Sequence, residues 1–403
     1  MGVEKKSGWR RLKWSLLAAG TGIALMLASA CTGFGELHRG QAEQQPLEAS
    51  PQWHDGQFNN PQPMWSDMKD ALLRAFDSTP DGAPQAAVPM LASQGEALAT
   101  LPASGLRVTW FGHSSTLLEI DGTRVLLDPI WSERASPVSW VGPKRWFAPP
   151  IPLDKLPPVD VVLVSHDHYD HLDAGTVRAL QARGARFVVP LGIGGHLRGW
   201  GVPADRIVEL DWWQSTQVGT VKVTSTPARH ASGRLNPQSD RTLWTGFAMV
   251  GATHRVYYSG DTGLFEEMND IGKRLGPFDL TLIESGQYDA DWPDWHLGSE
   301  QAVLAHQRVQ GKLMMPVHWG LFALAHHGWT EPVERVLAAA ACQGVGVLTP
   351  RPGQSVEPGV DQAPGRWWPQ QAWRTAAEKP VIATKNGNAG DRVQLPACVA
   401  SVS

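Results

Sequence analysis

Only three of the 403 residues are cysteine, namely Cys31, Cys342 and Cys398. Three are too few for a disulfide-built scaffold, and none stands at the spacing of a zinc–thiolate site. Cys342 and Cys398 are free to pair in an oxidising compartment if their Cα atoms come within reach. Tyrosine is scarce as well, 4 against 19 tryptophans. That imbalance puts large amphipathic rings in grooves or at membrane-facing surfaces as well as in the core. A surplus of one charge is also missing: 35 basic against 39 acidic residues leave a net −4, with no basic footprint for nucleic acid. Nucleic acid is therefore not expected as a partner. No internal repeat is found. Hydrophobic residues at 42% and charged residues at 18% argue against wholesale disorder. The length suits one large α/β domain with extensions or two modest domains.

Residues 1–13 carry Lys5, Lys6, Arg10, Arg11 and Lys13, and an uncharged, largely apolar run follows from Trp14 to Ala30. A basic segment before a short apolar one is the composition of an export signal. The run closes on Leu27-Ala28-Ser29-Ala30-Cys31. This ending resembles the lipobox of bacterial lipoproteins, in which the cysteine, here Cys31, is lipidated. Ala28-Ser29-Ala30 also suits ordinary signal peptidase, and the run is only slightly short of an uncleaved membrane anchor. All three readings place the mature chain in the cell envelope, periplasmic or tethered to the membrane.

Strand patterns begin at Leu106. Leu106–Phe111, Thr116–Ile120 and Thr123–Leu127 are short apolar and β-branched runs, and Asp121-Gly122 is a hairpin signal. Val161–Val164 reads as a buried strand and Ala174–Arg183 as a helix stopped by Gly184. Further strands are expected at Phe187–Val189, Ile207–Leu210, Val221–Thr226, Trp244–Val250, His254–Tyr258, Leu280–Ile283 and Lys312–Pro316. Helices are expected at Ser299–Gln310 and Pro332–Cys342, and another over Trp65–Phe76. Hairpins followed by alternating strands and helices suggest two packed sheets with helices outside. The organisation expected is an export signal over 1–31, a polar lead-in over 32–100, one domain over 101–356 and an irregular extension over 357–403.

The richest polar segment, Ser165-His166-Asp167-His168-Tyr169-Asp170-His171-Leu172-Asp173, leaves the buried strand at Val164. Side chains at i and i+2 of an extended stretch point the same way, so His166 and His168 can share one metal ion. A turn into a helix re-aims Asp170 and His171 at a second. Imidazole and carboxylate suit zinc-class ions, and manganese and iron are compatible. More ligands stand after other strands: His230 in Pro227-Ala228-Arg229-His230, Asp261 in Gly260-Asp261-Thr262-Gly263, and His318 in His318-Trp319-Gly320. Each is weak alone; their shared place after strands makes convergence on one sheet edge reasonable.

The His-x-His-x-Asp-His segment at 166–171, the downstream His, the Gly-Asp-Thr-Gly turn and the His-Trp-Gly together resemble the metallo-β-lactamase superfamily. Thr109–Thr116, Leu127-Asp128-Pro129, Gly142-Pro143-Lys144-Arg145 and His318–Leu324 bring the match closest to the branch typified by N-acylphosphatidylethanolamine phospholipase D. The resemblance covers about Leu106 to Gly353. It implies a four-layer αββα sandwich of class α/β. It also implies one divalent ion, most naturally zinc, on His166, His168 and His230, a second on Asp170, His171 and His318, and Asp261 bridging both. His113, Asp128 and Asp173 would orient the ligands or line the pocket; His113 serves equally well as a turn residue. His296 would face the substrate, hydrogen-bonding a phosphate oxygen or protonating a leaving group, and Asp170 would be catalytic as well as a metal ligand. The chain departs from the branch at His296-Leu297-Gly298-Ser299-Glu300, where Asn-Pro-Glu or Asp-Pro-Glu is usual, and at Ala231, where an aromatic is frequent.

The activity implied is hydrolysis of a phosphodiester by a hydroxide shared between two ions, with a phospholipid or an N-acylphosphatidylethanolamine-like substrate. Trp292, Trp295, Trp319 and Trp329 would then contact acyl chains or simply pack. Hydrolysis of a lactone or other small cyclic ester on the same site is an alternative. So is a non-catalytic envelope protein that keeps the fold for binding. Oligomeric state is not legible.

Overall fold

The computed structural model describes residues 47–396, apart from 75, 76, 78, 94, 235, 237 and 362–364. The export signal, the lipidation of Cys31 and the pairing of Cys342 with Cys398 lie outside the described residues. No helix among the described residues is long and apolar enough to cross a membrane.

A small hairpin, β1 (Trp53–His54) and β2 (Gln57–Phe58), and helix α1 (Met68–Arg74) precede the main body. The first large sheet holds β3 (Leu106–Gly112), β4 (Ser115–Ile120), β5 (Thr123–Leu127), β6 (Val161–Leu163), β7 (Phe187–Pro190) and β8 (Ile207–Leu210), with β16 (Ser355–Val356) beside β3. The second holds β9 (Ser215–Val218), β10 (Val221–Thr226), β11 (Gly246–Val250), β12 (Arg255–Tyr258), β13 (Phe278–Glu284), β14 (Gly311–Val317) and β15 (Gly346–Val347) in the order 15-14-13-12-11-10-9. Helices α2 (Ala174–Ala182) and α3 (Ile193–Gly199) belong to the first half; α4 (Met268–Leu275), α5 (Ser299–Arg308) and α6 (Glu331–Gln343) to the second.

Alternation along each strand sorts the side chains into layers. Leu118 and Ile120 of β4 and Val125 and Leu127 of β5 meet Val223, Phe247, Leu280 and Leu282 between the sheets. Their neighbours Leu117 and Leu126 face the other way, onto Val177 and Leu180 of α2 and Ile193 and Leu197 of α3. On the far side, Tyr257, Ile283 and Met314 pack under α4, α5 and α6. The result is the expected αββα sandwich. Truncating a fully buried residue of the middle layer such as Leu118 to Ala costs about 2–5 kcal/mol.

Several elements were not expected: the two-residue strands β1, β2, β15 and β16, strand β9, and helices α3 and α4. Helix α3 contains Gly194, Gly195 and Gly199, a composition of poor helix propensity; it forms because Ile193 and Leu197 are buried against the first sheet. Helix α4 was also not expected, although Met268, Ile271 and Leu275 share one face, because it is only two turns long; the polar edge strand β9 carries little periodic apolar signal. The described part of the C-terminal extension lies on the domain: Trp368 is buried in the inter-sheet core and Trp367 stacks on Trp319 at 5.5 Å.

The two sheets meet at one edge. His113, just after β3, donates its N–H to Trp319 O at 2.9 Å, and the N–H of His318, just after β14, donates to His113 O at 3.0 Å. Strands β5 to β8 run parallel, as do β12 to β15. The polar residues singled out in the sequence therefore collect beyond the C-terminal ends of strands on this edge, the usual place for a site in such sheets.

Candidate metal centre

Chain leaving β6 presents His166 and His168 with His166 Nε2 and His168 Nδ1 2.9 Å apart, and His230, beyond β10, brings its Nε2 to 3.3 Å from the same Nδ1. Beside this trio, Asp170 Oδ2 lies 3.4 Å from both His171 Nε2 and His318 Nε2. Asp261 Oδ2 stands between the two groups. It lies 3.1 Å from His171 Nε2 and from His318 Nε2, 3.7 Å from His166 Nε2 and 3.8 Å from His230 Nε2. Its partner oxygen, Oδ1, is buried with no hydrogen-bond partner. Gly260 makes this placement sterically available: its φ is +59°, and a Cβ there would lie 2.5 Å from Thr245 O.

The outward nitrogens fix the imidazole tautomers. His230 Nδ1 donates to Trp295 O at 2.9 Å and His318 Nδ1 to Gly286 O at 3.2 Å. His171 Nδ1 meets Asp128 Oδ2 at 2.6 Å, and His166 Nδ1 meets Ser165 Oγ at 2.9 Å. Asp128 is itself held by Ser165 N, Ser165 Oγ and Tyr258 OH at 2.7, 2.6 and 2.5 Å. A proton on each outward nitrogen leaves a bare lone pair on each inward one, the state a metal ligand needs. Backbone strain occurs here too: His113, Asp128 and His318 have φ of +54°, +36° and +66°, a conformation that non-glycine residues keep only where their surroundings impose it.

The electrostatics agree. Burial opposes ionisation of Asp170 and Asp261, yet the adjoining histidines, His171 foremost, hold both carboxyls well below the usual range. Burial keeps His166 and His230 neutral. It also disfavours charge on His171 and His318, but there Asp261 and Asp170 outweigh it and draw both rings well above their ordinary value, so that without an ion their inward nitrogens hold protons that a metal would displace. Among the described residues Asp170, Asp261 and Glu284 have ion-pair partners only in histidines, none in lysine or arginine. More carboxylate than fixed cation, with inward lone pairs and an orphaned carboxylate oxygen, is a donor set that fits divalent metal.

Residues 123–319 match the model of a family described as the beta-lactamase superfamily domain. A Caenorhabditis elegans protein named N-acyl-phosphatidylethanolamine-hydrolyzing phospholipase D 1 is 37% identical over 240 residues, covering 57% of this chain and 67% of that one. The chain belongs to the metallo-β-lactamase superfamily. A second relative in sequence, an uncharacterised protein of Mycobacterium tuberculosis, is 49% identical over 331 residues, 80% of this chain and 88% of its own. The isothiocyanate hydrolase from Delia radicum gut bacteria shares the fold, with a TM-score of 0.50 at 16% identity over 62% of this chain and 98% of that one.

Within this metallo-β-lactamase site, the His113 backbone ties the sheets, and its Nε2 donates to Asp170 Oδ2 at 2.9 Å. His296 Nδ1 lies 2.8 Å from Glu284 Oε2 and 3.8 Å from Asp261 Oδ2. Asp173 is not brought to the centre. It caps α2, accepting from Gly175 N at 3.0 Å and from Ser132 Oγ at 2.8 Å. Trp292 and Trp295 line a cavity of about 350 Å³ together with His168, Asp170, Asp261, His296 and His318. Trp319 and Trp329 do not; both are in the inter-sheet core, where Trp319 stacks on Trp110 at 5.2 Å.

Two residues of the site were not anticipated. Glu284 closes β13 and orients both His296 and His318, whose Nδ1 is 3.3 Å from Glu284 Oε2; its position at a strand end is the same signal that pointed to Asp261. Asn60 lies in the lead-in, outside the matched residues. Its Oδ1 accepts from His230 N at 2.8 Å while its Nδ2 donates to His230 O at 2.7 Å.

Proposed function

We propose that the chain hydrolyses a phosphodiester, in a phospholipid or N-acylated phospholipid. His166, His168 and His230 would hold one zinc-class ion and Asp170, His171 and His318 a second, with Asp261 a ligand available to both. The observation that carries this reading is the position of Asp261 Oδ2, 3.1–3.8 Å from the inward nitrogens of both groups. A pair of divalent ions supplies Lewis acidity, bringing the ionisation of water near neutral pH and neutralising charge on a phosphoryl oxygen. The protein's part is orientation. Asp128, Trp295 O, Gly286 O and Glu284 fix the rings, which keeps the ligand geometry from relaxing as charge develops. His296, its Nδ1 committed to Glu284, offers its other nitrogen to the cavity it lines, for a phosphate oxygen or the departing alcohol. Trp292, Trp295, Met68 and Leu324 give that cavity an apolar wall suited to an acyl chain. The name of the Caenorhabditis elegans relative supports a phospholipid of this kind. The basic and apolar composition of residues 1–30 supports export and attachment to the bacterial envelope.

Metal-loaded protein in detergent micelles with N-acylphosphatidylethanolamine should release phosphatidate and N-acylethanolamine. His296→Ala should lower that turnover at least tenfold and leave metal content unchanged. Turnover of lactones with no phosphodiester hydrolysed would overturn the reading.

A further inference from the structure

A second cavity, of about 460 Å³, adjoins the metal cavity, with Tyr169 and Arg234 lining both. Its walls carry three guanidiniums, Arg134, Arg178 and Arg234, against two carboxylates, Glu133 and Asp173. Both carboxylates are already committed. Glu133 pairs with Lys144 at 2.7 Å, and Asp173 accepts from Gly175 N, Ser132 N, Ser132 Oγ and Thr176 Oγ1.

None of the three guanidiniums forms an ion pair among the described residues, although Asp167 and Asp173 lie near enough to Arg234, and Glu133 to Arg134, to favour their charged forms. Arg178, exposed on the first turns of α2, has no hydrogen bond or ion pair among the described residues. Arg134 spends two nitrogens on loop carbonyls, Ser139 O at 3.2 Å and Gly142 O at 2.5 Å, which holds it in place without neutralising it. Arg234 donates through Nη1 to Asp167 O and Leu172 O at 2.9 and 2.8 Å and lies over the Tyr169 ring at 4.0 Å. Its Nε is buried with no partner. Two held guanidiniums, Arg134 and Arg234, and the exposed Arg178 place three sets of donors around one cavity, a receptor for phosphate, whose oxygens accept paired N–H bonds.

Resting on the phosphodiesterase reading above, we propose that this arginine pocket seats a second phosphate group of the substrate. The preferred substrate is then a phosphodiester that carries another phosphate a short distance from the bond held at the metal centre, and Arg234, shared by both cavities, sets the register between the two. A singly charged or zwitterionic diester leaves the pocket without its ligand and binds less tightly.

The test uses metal-loaded, full-length chain in two arms. In the first, calorimetric titration with glycerol 3-phosphate should show saturable binding that Arg178→Glu weakens at least tenfold, with an unchanged melting temperature and partial recovery in Arg178→Lys. In the second, diphosphatidylglycerol and phosphatidylethanolamine are compared in the same micelles. Wild-type protein should prefer the former in kcat/KM, and Arg178→Glu should shrink that preference at least tenfold, mainly through KM. No binding of glycerol 3-phosphate, or binding and preference both untouched by Arg178→Glu, overturns the pocket. Binding that depends on Arg178, in a protein that cleaves no phosphodiester, overturns the phosphodiesterase reading and leaves the pocket standing.

Discussion

Asn60 grips His230 by both of its backbone polar groups, and the side chain of His230 is steered from the other side by Trp295 O. A ligand is only as well placed as the groups that orient it, and losing one such partner typically costs roughly 10–100-fold in metal affinity or activity. Asn60→Ala should therefore weaken metal binding about tenfold or more, as read by competition with a chromophoric chelator. Retention of wild-type affinity would show that the clamp is incidental. The difference in legibility between ligands and clamps has a physical cause. His166, His168, Asp170 and His171 are adjacent in sequence because a strand and the turn after it aim alternate side chains at one point. Asn60 acts across 170 residues, from a lead-in whose sequence carries no signal of the contact. Glu284 falls between these cases: its place after an apolar strand was visible, but a lone carboxylate there has many other uses.

Among elements, the strands were the most legible, because each face of β4 and β5 packs on a different layer and the alternation is written in the residues. Helix α3 was not, because its three glycines hide a helix that packing alone sustains. Helix α5 carries a further consequence. His306 is buried on it, with Nδ1 2.7 Å from Thr281 Oγ1 of β13, and burial pushes its pKa down from 6.5 to about 4. The unfolded chain therefore binds a proton that the folded one refuses between those values. The contribution is full above pH 6.5 and is lost as pH falls toward 4, up to about 3 kcal/mol if the whole shift is realised. Urea unfolding at neutral pH and near pH 4.5 should show a smaller acid-induced loss in His306→Gln than in wild-type protein. Equal losses would mean that the ring is not held neutral.

At the scale of the whole molecule, one buried ion pair gathers segments that lie far apart in the chain. Arg229 Nη2 meets Asp294 Oδ2 at 3.0 Å, both side chains fully buried. Around them converge Gln62 O and Pro63 O of the lead-in, Trp65 N at 2.7 Å, and Thr384 N and O near the C-terminus at 2.6 and 3.0 Å. Removing one member of such a pair leaves an uncompensated charge, and Arg229 is the residue next to His230, so the outer segments are coupled to the metal centre. The tryptophan excess has a related origin. Trp110, Trp319, Trp367 and Trp368 stack, tilt or meet edge to face within 5.2–6.1 Å, joining the C-terminal residues to both sheets. Composition announced the tryptophans; only the fold shows that several fasten the extension and two line the cavity.

The central claim is a centre for two metal ions sharing Asp261. Elemental analysis of the reconstituted full-length chain, with hydrolysis of bis(p-nitrophenyl) phosphate followed on the same sample, tests it most directly. About two ions per chain are predicted, with activity that a chelator abolishes, and loss of both bound metal and turnover in Asp261→Ala. No bound metal after reconstitution, or full activity in Asp261→Ala, would contradict it.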